Sequence, residues 1–587
     1  MTRFRYIFGV VFIFTAFLRI SSLLSNPPSL FSDEVDAGYQ AYIFNKCRTD
    51  TYGNKLPVHF QSSADQKSPL NIYGIALLRS ITNNPELSVR LPSAIFGILV
   101  TLFFFLILKE YVGKWMALVG FTVFSLNPWL FHYSRAGWEV VGMLFVLMAG
   151  IYFWIKYLNS KKLLYLQASL LSFVLSFYFY STAKLFVIFI GAIVLGVWIK
   201  EIVKIKRNHW LLGVGLVLLA SLPMLVDTFN GKSGYRFSYI NIFSDPTTPS
   251  EVDFARFEDA TVELNGQESL GIRPSLVTKF IHNKAGVVAS KFIRNYLSSF
   301  STDFLFVRGD ANLRQGFGGQ KGYLYYIDLL FLVLGISGAI GAVIYGKKQG
   351  KEDKLNIFML LFLLTAPIPF SLTRDSSTPH STRLIIMIIP LMYFLVKGVG
   401  ILFNKIQKFN QTLVLALSGL VVLVYALQVF DFLHYYHYHY PQISARDWHF
   451  GIKEAVVKSK ELEGDFSRIY YAKTGESFLP FFHFYTDYFP SNGSCAPVLN
   501  SQRLADKNFE GEILENRYYF GVVNWDNLVN SEAEWDKFLF VLPENELIKL
   551  NKYISEKDDV ELRVLSQEKK IFREQDVISL VSLEKIE

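Results

Sequence analysis

The amino-acid sequence predicts an α-helical polytopic membrane protein with about eleven transmembrane helices, followed by a C-terminal extracytoplasmic α/β domain. Three observations support this fold class. Apolar residues make up 51% of the 587 positions. Predominantly apolar runs of about 20 residues, the length that crosses a bilayer as a helix, recur through most of the chain. The C-terminal part lacks these runs and alternates short apolar stretches with polar ones, which is typical of a soluble domain.

The transmembrane helices are predicted from the apolar runs, which are separated by polar or basic connectors. The first run is interpreted as a retained span, because no small-residue cleavage site follows it as it would follow a signal peptide. The predicted spans cover about residues 6–24, 89–108, 115–132, 138–155, 163–180, 183–199, 210–228, 323–345, 356–372, 383–403 and 412–431.

Basic residues in the connectors indicate the orientation of the chain. With eleven spans, the lysine- and arginine-rich connectors all fall on one side, and the positive-inside rule makes that side cytoplasmic. We therefore expect a multi-pass protein of the cell membrane with a cytoplasmic N-terminus. The extracytoplasmic side would carry the loops 25–88 and 230–322 and the C-terminal domain. Residues 68–81 are expected to form a helix in the membrane interface.

The chain is predicted to divide into a membrane domain, 1–435, and an extracytoplasmic α/β domain, 436–587. Within the second domain, aromatic and β-branched runs predict strands, and amphipathic runs predict helices. The predicted strands cover 467–472, 518–523, 538–542 and 577–583, and the predicted helices cover 451–462 and 545–553. A stretch rich in histidine and tyrosine, 434–440, is interpreted as an aromatic belt at the membrane surface rather than a metal site.

Charge and cysteine content disfavour several functions. The formal net charge of +8 comes from basic residues scattered among short loops, so nucleic-acid binding is not expected. Cys47 and Cys495 are the two cysteines, and they lack zinc-site spacing. We expect them to be unpaired, although a disulfide would be feasible if both lie outside. Because the sequence has no glycine-rich phosphate loop, a cytoplasmic nucleotide donor is disfavoured.

An acidic cluster of Asp33, Glu34 and Asp36 stands directly after the first span. Carboxylates at a membrane surface can act as a general base or hold a divalent cation, and crowding raises the pKa of at least one of them. The alternative is a helix that begins at Ser32, where acidic residues in the first turn favour the helix dipole. The local sequence leaves both interpretations open.

Two further polar groups lie on the same predicted face. Lys67, near the end of the first loop and ahead of Tyr73, is suited to holding a phosphate at the membrane surface. The alternative is a lysine that only extends its charged end into water. Arg135 and Glu139 fall in the short turn between the third and fourth spans. If this turn is helical, their spacing places them on one face as a pair.

The last polar group is the segment 374–383, which precedes the tenth span. It contains Arg374, His380 and Arg383, a composition suited to a phosphate or diphosphate. The alternative is that Arg383 extends from the end of its span into water.

These groups, in this order, resemble the GT-C superfamily of integral membrane glycosyltransferases (family 39-like). The resemblance is to the bacterial branch with protein O-mannosyltransferases and the aminoarabinose transferase of lipid A. The pair Asp33-Glu34 matches the Asp-Glu pair that opens the first outer loop of the family. Lys67-Ser68-Pro69 with Tyr73 is similar to the family's Lys-Pro element and following aromatic residue, with Ser68 inserted.

Three more motifs extend the resemblance over about residues 1–430. Arg90-Leu91-Pro92-Ser93 is similar to an Arg-x-Pro-Ser motif at the start of the second span. Ser134-Arg135 with Glu139 resembles the second acidic site. Pro379-His380, with Arg383 and Pro390, resembles the late loop that meets the phosphate of the lipid carrier. Each motif alone is common, but their joint order is fairly specific.

The resemblance implies transfer of a sugar from a polyprenyl-phosphate donor to an acceptor on the extracytoplasmic face, with inversion. Asp33 would be the single carboxylate base, because the phosphate leaving group needs no strong acid. Glu34 and Glu139 would orient the acceptor or bind a cation. Lys67, His380 and Arg383 would stabilise charge growing on the phosphate. Arg135 could hold Glu139 or touch the donor, and Tyr73 is expected to bind substrate.

The resemblance leaves cofactors and partners only partly defined. No cofactor is certain, and a divalent metal is compatible with the family. The expected partners are the lipid-linked sugar donor, membrane lipid, and an acceptor that is a protein, a lipid or a glycan. The sequence alone does not name the sugar or the acceptor.

Three other functions compete with this interpretation. The first is a lipid-linked oligosaccharide ligase or polymerase of the same architecture. The second is a secondary transporter, which would typically show internal repeats and polar residues at the middle of the membrane. The third is a membrane scaffold without catalytic activity. An enzyme requires Asp33, Lys67, Glu139 and Arg383 to surround one outward-facing cavity.

Overall fold

A computed structural model describes most of the chain. The described residues are 2–62, 66–229, 240–263, 275–345, 350–374, 379–408, 411–473, 475–531, 535–557 and 560–586. The chain forms two compact units. The first comprises Met1–Val100, Phe131–Phe145 and Phe430–Glu587, and the second comprises Thr101–Leu130 and Val146–Val429.

Among the described residues, the N-terminal half of the chain is mostly helical and contains one pair of short strands. Strands β1 (Phe60–Gln61) and β2 (Gln66–Lys67) pair in antiparallel fashion within the first loop. The helices are α1 (Thr2–Ile20), α2 (Ser32–Cys47), α3 (Pro69–Arg79), α4 (Pro85–Tyr111), α5 (Gly113–Ser125), α6 (Pro128–Tyr133), α7 (Glu139–Ser160), α8 (Leu163–Phe177), α9 (Ala183–Ile202) and α10 (Arg207–Phe229).

Helices continue to the start of the C-terminal region. They are α11 (Thr248–Glu263), α12 (Leu276–Ile281), α13 (Lys284–Ser298), α14 (Tyr326–Tyr345), α15 (Lys351–Thr365), α16 (Ile368–Ser371), α17 (Ser381–Leu384), α18 (Ile388–Ile406), α19 (Gln411–His434) and α20 (Tyr440–Ser444). Short 3₁₀ turns occur at Ile242–Ser244 and Ile385–Met387, and π turns occur at Asp303–Val307 and Tyr435–His439.

Among the described residues, eight helical stretches are long and apolar enough to cross a membrane. They are Pro85–Tyr111, Glu139–Ser160, Ala183–Ile202, Arg207–Phe229, Tyr326–Tyr345, Lys351–Ser371, Ser381–Ile406 and Gln411–Ser444. The three other predicted spans correspond to helices that are shorter or more charged, namely α1, α5 with α6, and α8. A multi-pass helical membrane protein is confirmed, whereas the count of eleven spans stays a prediction.

The C-terminal region forms a mixed seven-stranded sheet with helices on both faces. Its strands are β3 (Arg468–Ala472), β4 (Gln502–Ala505), β5 (Phe509–Leu514), β6 (Tyr518–Val523), β7 (Phe538–Pro543), β8 (Val560–Gln567) and β9 (Ile578–Lys585), in the order β4-β5-β6-β3-β7-β9-β8. Its helices are α21 (Ile452–Leu462), α22 (Leu479–Tyr485), α23 (Trp525–Ser531) and α24 (Glu544–Ile554). Short 3₁₀ turns lie at Glu463–Asp465, Pro497–Asn500 and Trp535–Lys537.

The central strands of this sheet are parallel and the outer ones are antiparallel. Strand β3 pairs in parallel with β6 and β7, while the β4–β5, β5–β6, β7–β9 and β8–β9 pairs are antiparallel. Strands β3 and β7 are buried along nearly their whole length, as expected for strands covered on both faces. The four strands and two helices predicted from the sequence are confirmed, and β4, β5 and β8 were not predicted.

The first outer loop and the C-terminal sheet share one hydrophobic core. Val35 and Ile43 of α2 and Ile72 of α3 lie in the same buried cluster as Phe482 of α22 and Leu539 of β7. A second cluster covers the opposite face of the sheet with α23 and α24. Phe430–Glu587 groups with Met1–Val100 in one compact unit, and the predicted division at residue 435 stays a prediction.

Two sequence expectations change with the structure. Cys47 and Cys495 form a disulfide, with Cα atoms 5.8 Å apart, so the expectation that they are unpaired is wrong. Their separation of 448 residues hid the pairing from local sequence, and the packing of α2 against α22 brings the two regions together. The predicted outer loop 230–322 contains α11, α12 and α13 within its described part.

Candidate active site

Helix α2 carries the acidic cluster and begins at Ser32, as one of the two sequence interpretations predicted. Phe31 is its N-cap, and the backbone N–H of Phe31 donates to Glu34 Oε2 over 3.2 Å. At the other end, Arg48 adopts a left-handed conformation and its N–H donates to the Phe44 carbonyl. Both ends of α2 are therefore satisfied locally, which fixes the direction of its acidic first turn.

Glu34 is buried and fully engaged, with 1% of its surface exposed. Its Oε1 accepts from Arg90 Nε at 3.1 Å and from the Gly137 N–H at 2.7 Å. Its Oε2 also lies 3.4 Å from Arg90 Nη2. A buried carboxylate with these hydrogen bonds is fixed in place, which suits an orienting role.

Arg90 joins α2 to the chain that follows α1. Its guanidinium donates to the carbonyl oxygens of Leu23 at 2.9 Å, Pro27 at 2.8 Å and Ser29. The same group lies over the ring of Trp448, 5.7 Å from its centroid. Because Arg90 is 1% exposed, its hydrogen bonds to Glu34 and to these carbonyls replace the water that burial removes.

Asp33 and Asp36 lie on either side of the Lys67 ammonium. Lys67 Nζ is 3.3 Å from Asp33 Oδ1 and 2.6 Å from Asp36 Oδ2. The Asp33 side chain is 67% exposed, whereas that of Asp36 is 22% exposed. Burial lowers the pKa of Lys67, but the two carboxylates outweigh burial and raise that pKa above its ordinary value. The structure thus brings together Asp33, Asp36 and Lys67, with Asp33 open to solvent.

The short hairpin and α3 place Lys67 and Tyr73. Lys67 ends β2, opposite Phe60 of β1. The Tyr73 hydroxyl donates to the Pro57 carbonyl over 2.7 Å, and its ring contacts Phe44 and Phe60 at centroid distances of 4.9 and 5.3 Å. Burial, and then the charge of Asp50, raise the pKa of Tyr73 to about 12. Asp65, two residues before Lys67, lies outside the described residues.

The condition for a helical pairing of Arg135 with Glu139 is not met. Arg135 lies in a turn, and α7 begins only at Glu139, so the two residues do not share a helix face. The Arg135 guanidinium donates to the carbonyl oxygens of Leu18, Arg19, Ser22 and Asn26 at 2.7–3.1 Å. These carbonyls end α1 and the turn after it, where helices leave acceptors unsatisfied.

His380 and Arg383 lie in the second unit, at the start of the helical stretch that contains α17 and α18. Arg383 Nη1 donates to Thr373 Oγ1 over 3.0 Å. His380 Nε2 is 3.5 Å from Gln315 Nε2. Part of the predicted segment 374–383, residues 375–378, lies outside the described residues. The predicted convergence of Arg383 with Asp33, Lys67 and Glu139 involves both units and stays a prediction.

Some residues in these contacts were not predicted to have a role. Arg90 was noted only as part of a motif, yet a charge in an apolar span signals a need for a partner. Asp310, whose carboxylate binds Ser381, had no sequence signal, since it stands 71 residues away. Across the described part of the chain, no group of three or more His, Cys, Asp or Glu side chains is arranged to hold a metal ion.

The sequence and the fold are similar to known membrane glycosyltransferases. Residues 66–226 match the model of a family described as "Dolichyl-phosphate-mannose-protein mannosyltransferase". No curated protein gives a significant sequence match. The structure of ArnT from Cupriavidus metallidurans bound to undecaprenyl phosphate has 10% sequence identity and a TM-score of 0.50, covering 99% of this chain and 98% of that chain.

The match to a second solved structure covers a smaller share of that protein's chain. The oligosaccharyltransferase AglB from Archaeoglobus fulgidus, in complex with an inhibitory peptide and a dolichol-phosphate, has 12% sequence identity and a TM-score of 0.47. The match covers 82% of this chain and 63% of the AglB chain. This chain therefore spans less than two thirds of the length of AglB.

Residues 66–226 therefore match a glycosyltransferase family, and the fold is similar to that of ArnT, an integral membrane glycosyltransferase of the GT-C type. The resemblance stated from the sequence motifs is confirmed.

Proposed function

We propose that this protein transfers a sugar from a polyprenyl-phosphate donor to an acceptor at the extracytoplasmic membrane surface. The observation that carries the proposal is the group on and beside α2: a solvent-open Asp33 next to Lys67, held over the buried Glu34–Arg90 pair. The family description names a dolichyl-phosphate-linked donor, and ArnT was solved with undecaprenyl phosphate, which supports a lipid-phosphate donor.

Asp33 is the proposed general base. Its exposure allows an acceptor hydroxyl or amine to reach the carboxylate, whereas Glu34 is enclosed by its own partners. Asp33 would take the proton of the acceptor as its oxygen or nitrogen attacks the anomeric carbon from the face opposite the phosphate. The bond from the anomeric carbon to the phosphate oxygen breaks, and the polyprenyl phosphate leaves as an anion with the electron pair.

Lys67 is proposed to supply positive charge beside Asp33. Its ammonium stays protonated, because the neighbouring carboxylates raise its pKa, and so it can attract the anionic donor. In this arrangement an ammonium group takes the place that a divalent cation would otherwise occupy between Asp33 and Asp36. We therefore expect transfer to persist after chelation of divalent metals. Loss of transfer on chelation, followed by recovery when a divalent metal is added back, would contradict this role of Lys67.

The remaining predicted residues receive supporting roles. Glu34 would hold the first turn of α2, and Glu139 would orient the acceptor from the start of α7. His380 and Arg383 would bind the donor phosphate, for which a guanidinium and an imidazole are suited. Arg135 is better placed to fix the end of α1 than to touch the donor, because its hydrogen bonds go to backbone carbonyls.

The test is sugar transfer by the purified protein in lipid, with a panel of radiolabelled polyprenyl-phosphate sugars. Asp33→Asn is the test variant, and Asp576→Asn is the matched control because its carboxylate pairs with Arg446 on the C-terminal domain. We expect Asp33→Asn to lower transfer by about 10²-fold or more, the usual contribution of a general base. The control should retain the parent rate.

Other outcomes separate the parts of the proposal. An Asp33→Asn protein that transfers at the parent rate would exclude Asp33 as the base and leave the class unchanged. A folded parent protein that neither transfers nor hydrolyses any donor, with peptide, lipid and glycan acceptors all supplied, would contradict the transferase function. Movement of intact donor without bond cleavage would favour a transporter.

A further inference from the structure

A buried carboxylate in the second unit holds the segment that carries His380 and Arg383. Asp310 is 3% exposed, and its Oδ2 accepts from the Ser381 N–H at 3.0 Å and from Ser381 Oγ at 2.9 Å. Its Oδ1 accepts from the Asn312 N–H at 3.0 Å. Both carboxylate oxygens are therefore used, and one of them binds Ser381, which directly follows His380 and precedes Arg383 by two positions.

The loop around Asp310 is itself fixed. The Asp310 N–H donates to the Tyr323 hydroxyl at 3.3 Å, and that hydroxyl donates to the Gln315 carbonyl at 3.0 Å. A side chain at Gly316 would overlap the Asp310 carbonyl and approach the Tyr323 hydroxyl to 2.8 Å. Because the loop has no room to shift, the position of the carboxylate determines the position of Ser381.

Tyr323 anchors the loop around Asp310 to Asn127 and Trp129, at the start of α6. Its ring stacks on Trp129 at a centroid distance of 4.4 Å, and its carbonyl accepts from Asn127 Nδ2 at 2.9 Å. The loop therefore connects a rigid part of the second unit to the start of α17. Rigid support is what a phosphate-binding group needs, since a displacement of about 1 Å can cost large factors in rate.

Arg383 is held from the other side as well. Its Nη1 donates to Thr373 Oγ1, while the Thr373 carbonyl accepts from Asn295 Nδ2 on α13 at 3.1 Å. The arginine thus lies between a side-chain contact at Thr373 and a backbone position set by Asp310. Two independent constraints on one short segment fix both the backbone and the guanidinium.

Asp310 is a buried carboxylate whose described partners are hydrogen-bond donors. Among the described residues, no lysine or arginine forms an ion pair with Asp310, and burial of an unpaired carboxylate is unfavourable. Burial raises the pKa of Asp310, although the hydrogen bonds from Ser381 and Asn312 act in the opposite direction. An Asn side chain has a single acceptor oxygen, so in this geometry it could not accept from both the Ser381 N–H and the Asn312 N–H.

We infer that Asp310 is a positioning residue for the donor-phosphate site: through Ser381 it sets the placement of His380 and Arg383. The inference rests on the proposed function, because it assumes that these two residues bind the lipid phosphate. Asp310 itself touches neither the donor nor the acceptor. Its effect is on how well the donor is held, and it leaves acceptor binding unchanged.

The test uses Asp310→Asn and Ser381→Ala in the full-length protein in lipid. Asp303→Asn is the matched control, since Asp303 is an exposed carboxylate that pairs with Arg308 in the preceding π turn. We expect Asp310→Asn to raise KM for the lipid donor by about 10-fold and to change KM for the acceptor less than twofold. Ser381→Ala keeps the N–H and should raise donor KM by about threefold. The double variant should resemble Asp310→Asn, because both changes act on one contact.

Binding of unlabelled undecaprenyl phosphate provides a readout that does not require catalysis. We expect about 10-fold weaker binding by Asp310→Asn and parent-like binding by Asp303→Asn. If the parent binds this lipid but transfers no sugar, the proposed function fails, and weaker binding by Asp310→Asn would still show that Asp310 positions a lipid-phosphate site. If Asp310→Asn does not fold, Ser381→Ala decides the question. Unchanged donor binding in a folded Asp310→Asn or Ser381→Ala protein, or equal changes in donor and acceptor KM, would overturn the inference.

Discussion

Glu34 shows how one residue of an acidic cluster can be separated from its neighbours by burial. Sequence alone placed Asp33 and Glu34 together as a catalytic pair. In the structure, Asp33 is open and Glu34 is enclosed by Arg90, Gly137 and the backbone of Phe31. Adjacent positions on a helix point in different directions, so one carboxylate faces solvent and the next faces the core. The two residues therefore require different tests.

Breaking the Glu34–Arg90 pair should destabilise the protein strongly. Glu34→Gln keeps the shape of the side chain but leaves the Arg90 charge buried without a counter-ion, which costs about 3–5 kcal/mol. We expect a large fall in the thermal unfolding midpoint, measured in detergent. Glu110→Gln is the control: its partner Lys156 is part-exposed, and such a pair contributes about 0–1 kcal/mol. Equal midpoints for the two variants would show that the Glu34 pair is not a stabilising contact.

His483 should make the support of α2 sensitive to acid. It is buried between Tyr39 and Tyr488, at centroid distances of 4.7 and 5.1 Å, and burial lowers its pKa to about 3. Because this folded-state pKa lies below the ordinary value near 6.5, the unfolded chain binds a proton that the folded protein does not. Stability is therefore lost as pH falls from about 6.5 towards 3, by up to about 1.4 kcal/mol per pH unit.

The measurement is thermal unfolding at pH 7 and pH 4.5. His483→Phe should keep the ring stacking and reduce the loss of stability at pH 4.5. His439→Phe is the control, since His439 is an exposed residue of the same unit. Parent and His483→Phe proteins with the same dependence on pH would exclude His483 as the source of acid sensitivity.

At the scale of elements, α2 is enclosed between α4 and α22. A Cβ atom at Gly38 would overlap the Phe484 ring on one side and approach Val89 on the other to 2.8 Å. The Tyr39 hydroxyl donates to the Tyr488 carbonyl at 2.9 Å, close to the end of α22. The helix that bears Asp33 is thus packed on both sides, and α22 of the C-terminal region contacts it directly.

Gly38→Ala should therefore destabilise the protein and weaken transfer. Overpacking of a tight contact typically costs about 1–3 kcal/mol, and a shift of α2 would displace Asp33 from Lys67. We expect a lower unfolding midpoint together with a lower kcat. Gly9→Ala is the matched control, because a Cβ atom at Gly9 of α1 meets nothing within 4 Å. Parent-like activity in Gly38→Ala would show that α2 tolerates displacement.

In the second unit, α14 and α18 pack closely at two glycine residues. Gly335 of α14 faces the backbone of Phe394 in α18, and Gly398 of α18 faces the backbone of Phe331 in α14. Small residues at such positions let two membrane helices approach closely, where dispersion contacts and weak hydrogen bonds stabilise the pair. This pairing was not visible in the hydropathy pattern, which records how apolar a helix is but not which face meets a neighbour.

At the scale of the whole molecule, the Cys47–Cys495 disulfide links the first loop to the C-terminal region. Disulfides persist in oxidising compartments, so the bond supports the predicted extracytoplasmic location of both segments. The hydrophobic core shared by α2, α3 and the sheet supports the same arrangement, because both segments must then lie on one side of the membrane.

Cysteine labelling on intact cells tests this orientation. We expect a membrane-impermeant maleimide to label Cys47 and Cys495 only after reduction, because the disulfide protects both thiols. In a Cys47→Ser/Cys495→Ser background, Lys162→Cys lies in a predicted cytoplasmic connector and should react only after the cells are permeabilised. Labelling of Lys162→Cys in intact cells would reverse the predicted topology.

The same background measures the contribution of the disulfide to stability. Loss of the bond should lower the free energy of unfolding by about 2–4 kcal/mol, since the long loop that it closes is restricted in the unfolded chain. The unfolding midpoint of the parent with and without reductant provides the comparison. A parent protein that unfolds at the same temperature in both conditions would show that packing alone holds the two regions together.

The sequence by itself determined the membrane class, most of the helices and the central strands of the C-terminal sheet. These features follow from local patterns: apolar runs of membrane length, periodic burial and polar groups at the ends of spans. It also identified Asp33 and Lys67, whose carboxylate and ammonium groups the structure brings together.

Only the tertiary structure decided which residues contact one another. In the structure, Cys47 forms a disulfide with Cys495, and Arg135 donates to the carbonyls that end α1. The Glu34 carboxylate is buried against Arg90, and the Asp310 carboxylate binds Ser381. Each of these contacts joins residues that are distant in sequence or separated by a turn. Local periodicity carries no information about such pairs, because the free energy of a buried contact depends on what the rest of the chain brings to it.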